Sequence, residues 1–253
     1  MLAIFKTDKG RVRPQNEDNG GIFLNIHGEM LAIVADGMGG HKAGEVASGI
    51  AVNDLKGHWE EVRTALSPAE AEQWLRDHVA AVNKKIFEHA KENTQCEGMG
   101  TTIVAAICTE RFATVANVGD SRCYVMNEQG YVQLTEDHSF VNELVKTGQI
   151  SPEDAVHHPR KNIVLKAAGT QEEIEIDTKT ITFEEGDKIL LCSDGLSDKV
   201  SKIEMEHTLK ASLTKEEKAD RLIDLANQYG GEDNISLAII EYAARDESRC
   251  KEC

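Results

Sequence analysis

Short apolar, β-branched runs that end on an acidic residue beside glycine constrain this chain more than any other feature. Leu31-Ala32-Ile33-Val34-Ala35 leads into Asp36-Gly37-Met38-Gly39-Gly40-His41, and Ala116-Asn117-Val118 into Gly119-Asp120-Ser121-Arg122. Ile189-Leu190-Leu191-Cys192 leads into Ser193-Asp194-Gly195-Leu196-Ser197-Asp198. Gly231-Glu232-Asp233-Asn234 stands before Ile235-Ser236-Leu237, and Asn16-Glu17-Asp18 follows Arg13 near the N-terminus. Such runs, bounded by turn residues, read as strands. The acidic side chains are therefore expected at strand ends, on the rim of a sheet, where glycine lets backbone approach a ligand closely.

Further strand-like runs span Ile22–Ile26, Met30–Ala35, Thr101–Thr109, Ala113–Val118, Arg122–Met126, Ile174–Ile181, Ile189–Cys192 and Ile235–Tyr242. Helical periodicity interrupts them. Gly44–Trp59 places Ala47, Ile50, Ala51 and Leu55 on one face, and Glu70–Ala90 does the same with Trp74, Leu75, His78, Val79, Val82 and Ile86. Ser67-Pro68 separates the two. A third helix is predicted over Lys215–Tyr229, with Thr214 and Glu217 at capping-box spacing, Gly230 as its stop, and a stripe of Ala219, Leu222, Ile223, Ala226 and Tyr229. Shorter helices are predicted over Ser139–Lys146 and after Ser151-Pro152. Strands cluster and helices come in pairs, unlike a regular β-α-β alternation. The class is α+β, with largely antiparallel sheets and helices on their outer faces. Without an internal repeat or a low-complexity linker, residues 1–242 read as one domain and 243–253 as a short polar tail.

A formal net charge of -16 disfavours nucleic-acid partners, whose phosphates it would repel, but leaves room for a local basic pocket. No apolar run approaches the roughly 18 residues of a membrane span. The opening Met1–Lys6 lacks the basic and apolar regions of a signal peptide, so a cytoplasmic protein is expected. Cys108, Cys123 and Cys192 fall in strand-like runs and read as reduced core residues, whereas the Cys250–Cys253 pair has no partner pair to complete a zinc site.

The carboxylates carry the chemistry. Several of them at the ends of buried strands repel one another and lose hydration unless a cation neutralises them. Mg²⁺ and Mn²⁺ take carboxylate and water oxygens, and a pair of such ions can hold a phosphate ester for in-line attack. Arg13 offers a planar fork matched to phosphate oxygens. Each motif also has a plain reading, since Asp-Gly is a common turn pair and a single arginine is commonly a surface charge. Spacing alone does not bring the motifs together.

These same residues carry a resemblance. The chain resembles the metal-dependent protein phosphatases of type 2C, the PPM family, and most closely their compact bacterial branch. The match runs from Thr7-Asp8 to about Tyr242, through Gly10-Arg11-Val12-Arg13, Asn16-Glu17-Asp18, Asp36-Gly37-Met38-Gly39-Gly40-His41, Gly98-Met99-Gly100-Thr101-Thr102, Gly119-Asp120-Ser121-Arg122, Ser193-Asp194-Gly195 and Asp233-Asn234, in family order. It implies a four-layer α-β-β-α sandwich of two antiparallel sheets flanked by helices, with two Mn²⁺ or Mg²⁺ ions at one end and a third, weaker site. By motif, Asp36 bridges the two ions, Asp194 and Asp233 bind the first, and the Gly37 carbonyl binds the second with help from Glu17 and Asp18. Asp120, with Asp198 or waters, matches the third site. Arg13 clamps the substrate phosphate and Asn234 orients its neighbour.

The activity implied is hydrolysis of phosphoserine and phosphothreonine on proteins by a metal-bridging hydroxide, without a phosphoenzyme. His41 stands later than the histidine that follows Asp-Gly in animal members. It either protonates the leaving oxygen or serves as a turn residue, with a water in its place. Residues 140–160 resemble the family's flap, where His157 and His158 read as loop residues. Analogy supplies a partner, a serine/threonine kinase whose work the enzyme reverses, and nothing in the sequence calls for more than a monomer. Other readings are a two-metal nuclease, which would want a basic groove, a partner-binding protein on the same fold, and a phosphatase dedicated to one regulatory protein.

Overall fold

The structure is a computed structural model that describes residues 1–39 and 43–243; His41 and the Cys250–Cys253 pair lie outside the described residues. In chain order the strands are β1 (Leu2–Asp8), β2 (Asn19–Leu24), β3 (Met30–Ala35), β4 (Gly37–Met38), β5 (Gly100–Thr101), β6 (Ile103–Cys108), β7 (Phe112–Val118), β8 (Arg122–Asn127), β9 (Gly130–Gln133), β10 (Asp177–Thr182), β11 (Lys188–Cys192) and β12 (Ile235–Glu241). The helices are α1 (Ala43–Glu60), α2 (Pro68–Glu92), α3 (Phe140–Lys146), α4 (Pro152–Val156), α5 (Asp194–Ser197), α6 (Lys202–Lys210) and α7 (Lys215–Gln228).

Two five-stranded sheets, β1-β12-β11-β8-β9 and β10-β7-β6-β3-β2, are antiparallel throughout. The period-2 geometry of a strand sends alternate side chains to opposite faces. In β3, Met30, Ala32 and Val34 enter a core between the two sheets, where they meet Cys123, Val125, Ile189, Leu191, Ala238 and Ile240 of the other sheet. Leu31, Ile33 and Ala35 face the opposite way, into a second core under α1 and α2. The outer face of the other sheet, with Leu190, Cys192, Leu237 and Ile239, packs on α6 and α7. Helix, sheet, sheet and helix therefore stack in four layers. Both faces of the inner strands are covered, which is why their sequences are continuously apolar instead of alternating.

Cys108, Cys123 and Cys192 are buried in these cores, and burial pushes each thiol upward, so they act as packing residues. The capping boxes at Ser67/Glu70 and Thr214/Glu217 are present, with Pro68 in the first turn of α2. The helix after Thr214 ends earlier than its pattern suggests: Tyr229 is its cap, 48% exposed, with its hydroxyl on Glu204. The stretch expected as one strand from Thr101 to Thr109 breaks at Thr102. The strand expected from Ile174 starts at Asp177, while Ile174 and Ile176 pack against the α1–α2 core from a loop. The Ile22–Ile26 run ends at Leu24, because Asn25 turns the chain by accepting hydrogen bonds from the amides of His27 (2.9 Å) and Glu29 (3.0 Å). Among the described residues no helix is long and apolar enough to cross a membrane.

Candidate active site

Asp36 follows β3 directly, and its backbone is clamped by the break after β5. Its amide donates to Thr102 Oγ1 at 3.0 Å, and its carbonyl accepts from the Thr102 amide and from Thr101 Oγ1, both at 2.9 Å. Thr102 gives up strand continuity to make this clamp. Its hydroxyl also meets Ser121 Oγ at 2.7 Å. A Cβ on Gly119, whose φ is +112°, would come within 2.6 Å of Thr102 Cβ. Glycine thus seats the Asp120 turn against the Asp36 turn.

The other motifs join through equally close contacts. Asp194 opens α5, and a Cβ on Gly195 would lie 1.9 Å from the Asn234 carbonyl, so the two turns pack backbone on backbone. Ser193 Oγ donates to Asp18 Oδ2 at 2.8 Å and accepts from the Ser236 amide at 2.9 Å. Asn234 is a junction. Its Oδ1 accepts from the Glu17 amide at 2.8 Å, and its Nδ2 donates to the carbonyls of Lys9 (2.8 Å) and Gln15 (2.9 Å). Arg13 Nη2 donates to Asp233 Oδ2 at 2.6 Å. Topology thereby brings Arg13, Glu17, Asp36, Gly37, Asp120, Asp194, Asp233 and Asn234 around one cavity of about 290 Å³. Asp18 lies behind it, joined through Ser193.

The electrostatics are those of crowded carboxylates. Burial first, then neighbouring charge, pushes Asp36 well above the ordinary range; the neighbours are Asp18, Asp194, Asp120 and Asp233. Burial likewise pushes Asp18 and Asp120 to about 7, and Asp194 to about 6, against an ordinary 3.8. Asp18 and Asp120 are nearly inaccessible to solvent, while Asp36 and Asp194 are closely surrounded by protein and keep part of their surface open. Asp18 Oδ1 and Asp194 Oδ1 are buried without a hydrogen-bond partner. An oxygen in that position costs stability unless something supplies positive charge. Arg13, despite the opposing effect of burial, is held above its usual range by Asp233, Asp36 and Asp194.

Among the described residues no group of three or more His, Cys, Asp and Glu side chains is already arranged to hold a metal ion. The reason is visible in the pairing. Asp233 leans on Arg13, and Asp18 turns one oxygen to Ser193. All-oxygen donors with two orphaned carboxylate oxygens nevertheless fit hard divalent cations.

Asp198 stands to one side. It caps α5, faces a separate cavity of about 450 Å³ that Asp120 and Asp194 also line, and accepts from Lys161 Nζ at 2.7 Å. His157 is exposed and His158 is half-buried, its Nδ1 accepting from the Arg160 amide. The residues that hold the site carry no assigned role in the sequence reading, although Thr102 and Ser193 fall within its motifs. They are Thr102, Ser193 and above all His138, which is 8% exposed. His138 Nδ1 accepts from the Gly119 amide at 3.1 Å, its own amide donates to the Gly119 carbonyl at 2.9 Å, and Nε2 faces Asp177 Oδ2 at 3.1 Å. Cavity size does not mark the site. A cleft of about 850 Å³ near α2 and β10 is larger, but Glu136 and Glu175 on its wall are exposed and paired with Lys146 and Lys166.

A double-sheet fold with an arginine and buried carboxylates gathered at one rim defines a class of hydrolytic metalloenzyme, and the comparisons with known proteins agree. The family model described as Protein phosphatase 2C matches residues 11–233. The serine/threonine phosphatase stp of Listeria monocytogenes serovar 1/2a is 51% identical over 241 residues, 95% of this chain and 96% of the relative. The crystal structure of serine/threonine phosphatase Stp1 from Staphylococcus aureus superposes with a TM-score of 0.90 at 42% identity, covering 96% of this chain and 95% of that one. The catalytic domain of PstP, a serine threonine protein phosphatase solved with two manganese ions, gives a TM-score of 0.83 at 33% identity over 96% of this chain and 98% of its own. The chain belongs to the protein phosphatase 2C family.

Proposed function

We propose that this protein hydrolyses phosphoserine and phosphothreonine esters on other proteins at a centre of two divalent ions. Asp36, Asp194, Asp233, the Gly37 carbonyl, Glu17 and Asp18 are the residues that would hold them, with Asp120 and Asp198 toward a third and weaker site. One observation carries the reading: Asp18 and Asp194 each bury a carboxylate oxygen that has no partner, inside a cluster whose carboxyls are pushed upward. Bound there, divalent ions lower the pKa of a water and offset charge on phosphoryl oxygens. Manganese is the favoured ion, because two manganese ions accompany PstP.

The chain's own residues supply the rest. Arg13 stays charged and half-exposed, so its fork is free to exchange Asp233 for two oxygens of a phosphate monoester. Asn234 and Ser193 keep Glu17 and Asp18 in register with Asp233. His41 is assigned the proton that the leaving oxygen needs. His41→Ala should then slow a phosphothreonine peptide about a hundredfold while sparing p-nitrophenyl phosphate, whose leaving group needs no proton. Equal effects on both substrates would make His41 a turn residue. Among the described residues no cysteine sits in a phosphate-cradling loop, in keeping with direct hydrolysis. We place the enzyme in the cytoplasm as a monomer, opposing a serine/threonine kinase that modifies the same proteins. The reading is tested by phosphate release from a phosphothreonine peptide with Mn²⁺ and with chelator. Release that needs the metal is expected; its absence from folded, Mn²⁺-loaded protein on several phosphopeptides would overturn the enzyme reading.

A further inference from the structure

Arg13, Glu17 and Asn234 line two cavities, not one. Beyond the inner pocket they open on a second cavity of about 900 Å³, whose floor is Ala43 and Val46 of α1 with Cys96, and whose rim carries Pro14, Gln15 and Gln95. Val46 and Cys96 are half-buried. They pack one side against the α1–α2 core and turn the other to the cavity. Ala43 is nearly inaccessible. Among the described residues the floor carries no formal charge, in a chain whose charge is -16. Such a surface gains by covering its apolar atoms, about 25 cal/mol per Å².

We propose that this cavity is a side-chain subsite for the protein substrate, taking an apolar residue within three positions of the phosphoserine or phosphothreonine. The inference rests on the phosphatase reading above. Geometry ties the two cavities together: Arg13 is the phosphate fork of the inner one and a wall of the outer one. A phosphorylated residue is part of a chain, and extended chain advances about 3.3 Å per residue. With its phosphate on Arg13, the substrate's neighbouring side chains reach a cavity that begins at the same arginine. Leucine, methionine or valine would cover Val46 and Cys96, whereas aspartate or glutamate would lose hydration over that apolar floor beside Glu17, with Arg13 already engaged by the phosphate.

The test uses phosphothreonine peptides in which Leu, Ala or Glu occupies each of the three positions on either side of the phosphorylated residue, assayed beside p-nitrophenyl phosphate. At one position at least, Leu should exceed Glu in kcat/KM by about tenfold. Val46→Glu should reduce that preference to about onefold and leave p-nitrophenyl phosphate turnover unchanged. Gln95→Leu, on the rim and away from the core, should widen the preference instead. A measurement without substitution adds a second readout: a non-hydrolysable phosphonate peptide carrying Leu at that position should slow alkylation of Cys96, mapped by mass spectrometry, and its Glu counterpart should not. Equal rates for all peptides while p-nitrophenyl phosphate is hydrolysed would overturn the subsite alone, as would a preference that neither substitution alters. Loss of turnover on every substrate in wild type would instead sink the phosphatase reading beneath it.

Discussion

At His138 a single imidazole and its own amide grip both ends of one glycine, with Nδ1 on the Gly119 amide and the His138 amide on the Gly119 carbonyl. Asp120 is the next residue, so its placement depends on this grip. His138→Ala should weaken Mn²⁺ binding at the third, weaker site about 10- to 100-fold, measured by titration calorimetry, the usual cost of losing a partner that orients a ligand. His138→Asn keeps an acceptor near Nδ1 and should recover most of the loss; if both variants bind alike, the imidazole is only packing. Arg13→Ala should raise KM for phosphopeptides about tenfold or more, and Arg13→Lys should restore little, because a point charge lacks the two-pronged geometry. An unchanged KM in steady-state assays would remove Arg13 from phosphate binding. The acidic residues were legible in the sequence because uncompensated charge at strand ends has a physical cost. The holding roles of Thr102 and Ser193, and His138 altogether, were not, because one buried hydrogen bond leaves no periodic trace. The Asp-His-Ser run at Asp137–Ser139 looks like any polar turn.

At the scale of elements, β3 was legible to the residue because both its faces are buried and Asp36 stops it. Helices α1, α2 and α7 were legible from their stripes. β1 was not, since Leu2-Ala3-Ile4-Phe5-Lys6-Thr7-Asp8 is an edge strand defined by pairing with β12, more than two hundred residues away in sequence. β9 is short and held by its hairpin to β8, and α6 shows only a weak stripe, Met205 and Leu209. The break at Thr102 was illegible for a different reason: it exists to clamp Asp36, a tertiary demand. Gly195 carries a sharper constraint. An alanine there would put its Cβ 1.9 Å from the Asn234 carbonyl, separating the Asp194 and Asp233 turns. Gly195→Ala should cost about 1–3 kcal/mol in chemical denaturation and depress activity further than that loss explains. A variant of native stability and full activity would show that the two turns need not touch.

For the whole molecule, the site is a reservoir of repulsion. Asp18 and Asp120 are pushed to about 7 and Asp194 to about 6 from 3.8, so between those limits the folded chain binds more protons than the unfolded one. Stability of the metal-free protein must therefore fall as pH rises through that window. Thermal unfolding in chelator should give a Tm several degrees lower at pH 8 than at pH 5.5. Mn²⁺ should raise Tm more at pH 8, where the carboxylates are ionised and ready to bind. A metal-free Tm that climbs with pH would contradict the assigned crowding.

The most direct test of the central claim is calorimetric titration of Mn²⁺ into wild type and Asp36→Asn. Two ions per wild-type chain are expected, with binding at both sites weakened in Asp36→Asn because that carboxylate is assigned to both. An absence of binding to the folded wild-type chain, or an unaltered isotherm in Asp36→Asn, would contradict the claim that these strand-end carboxylates form a two-ion catalytic centre.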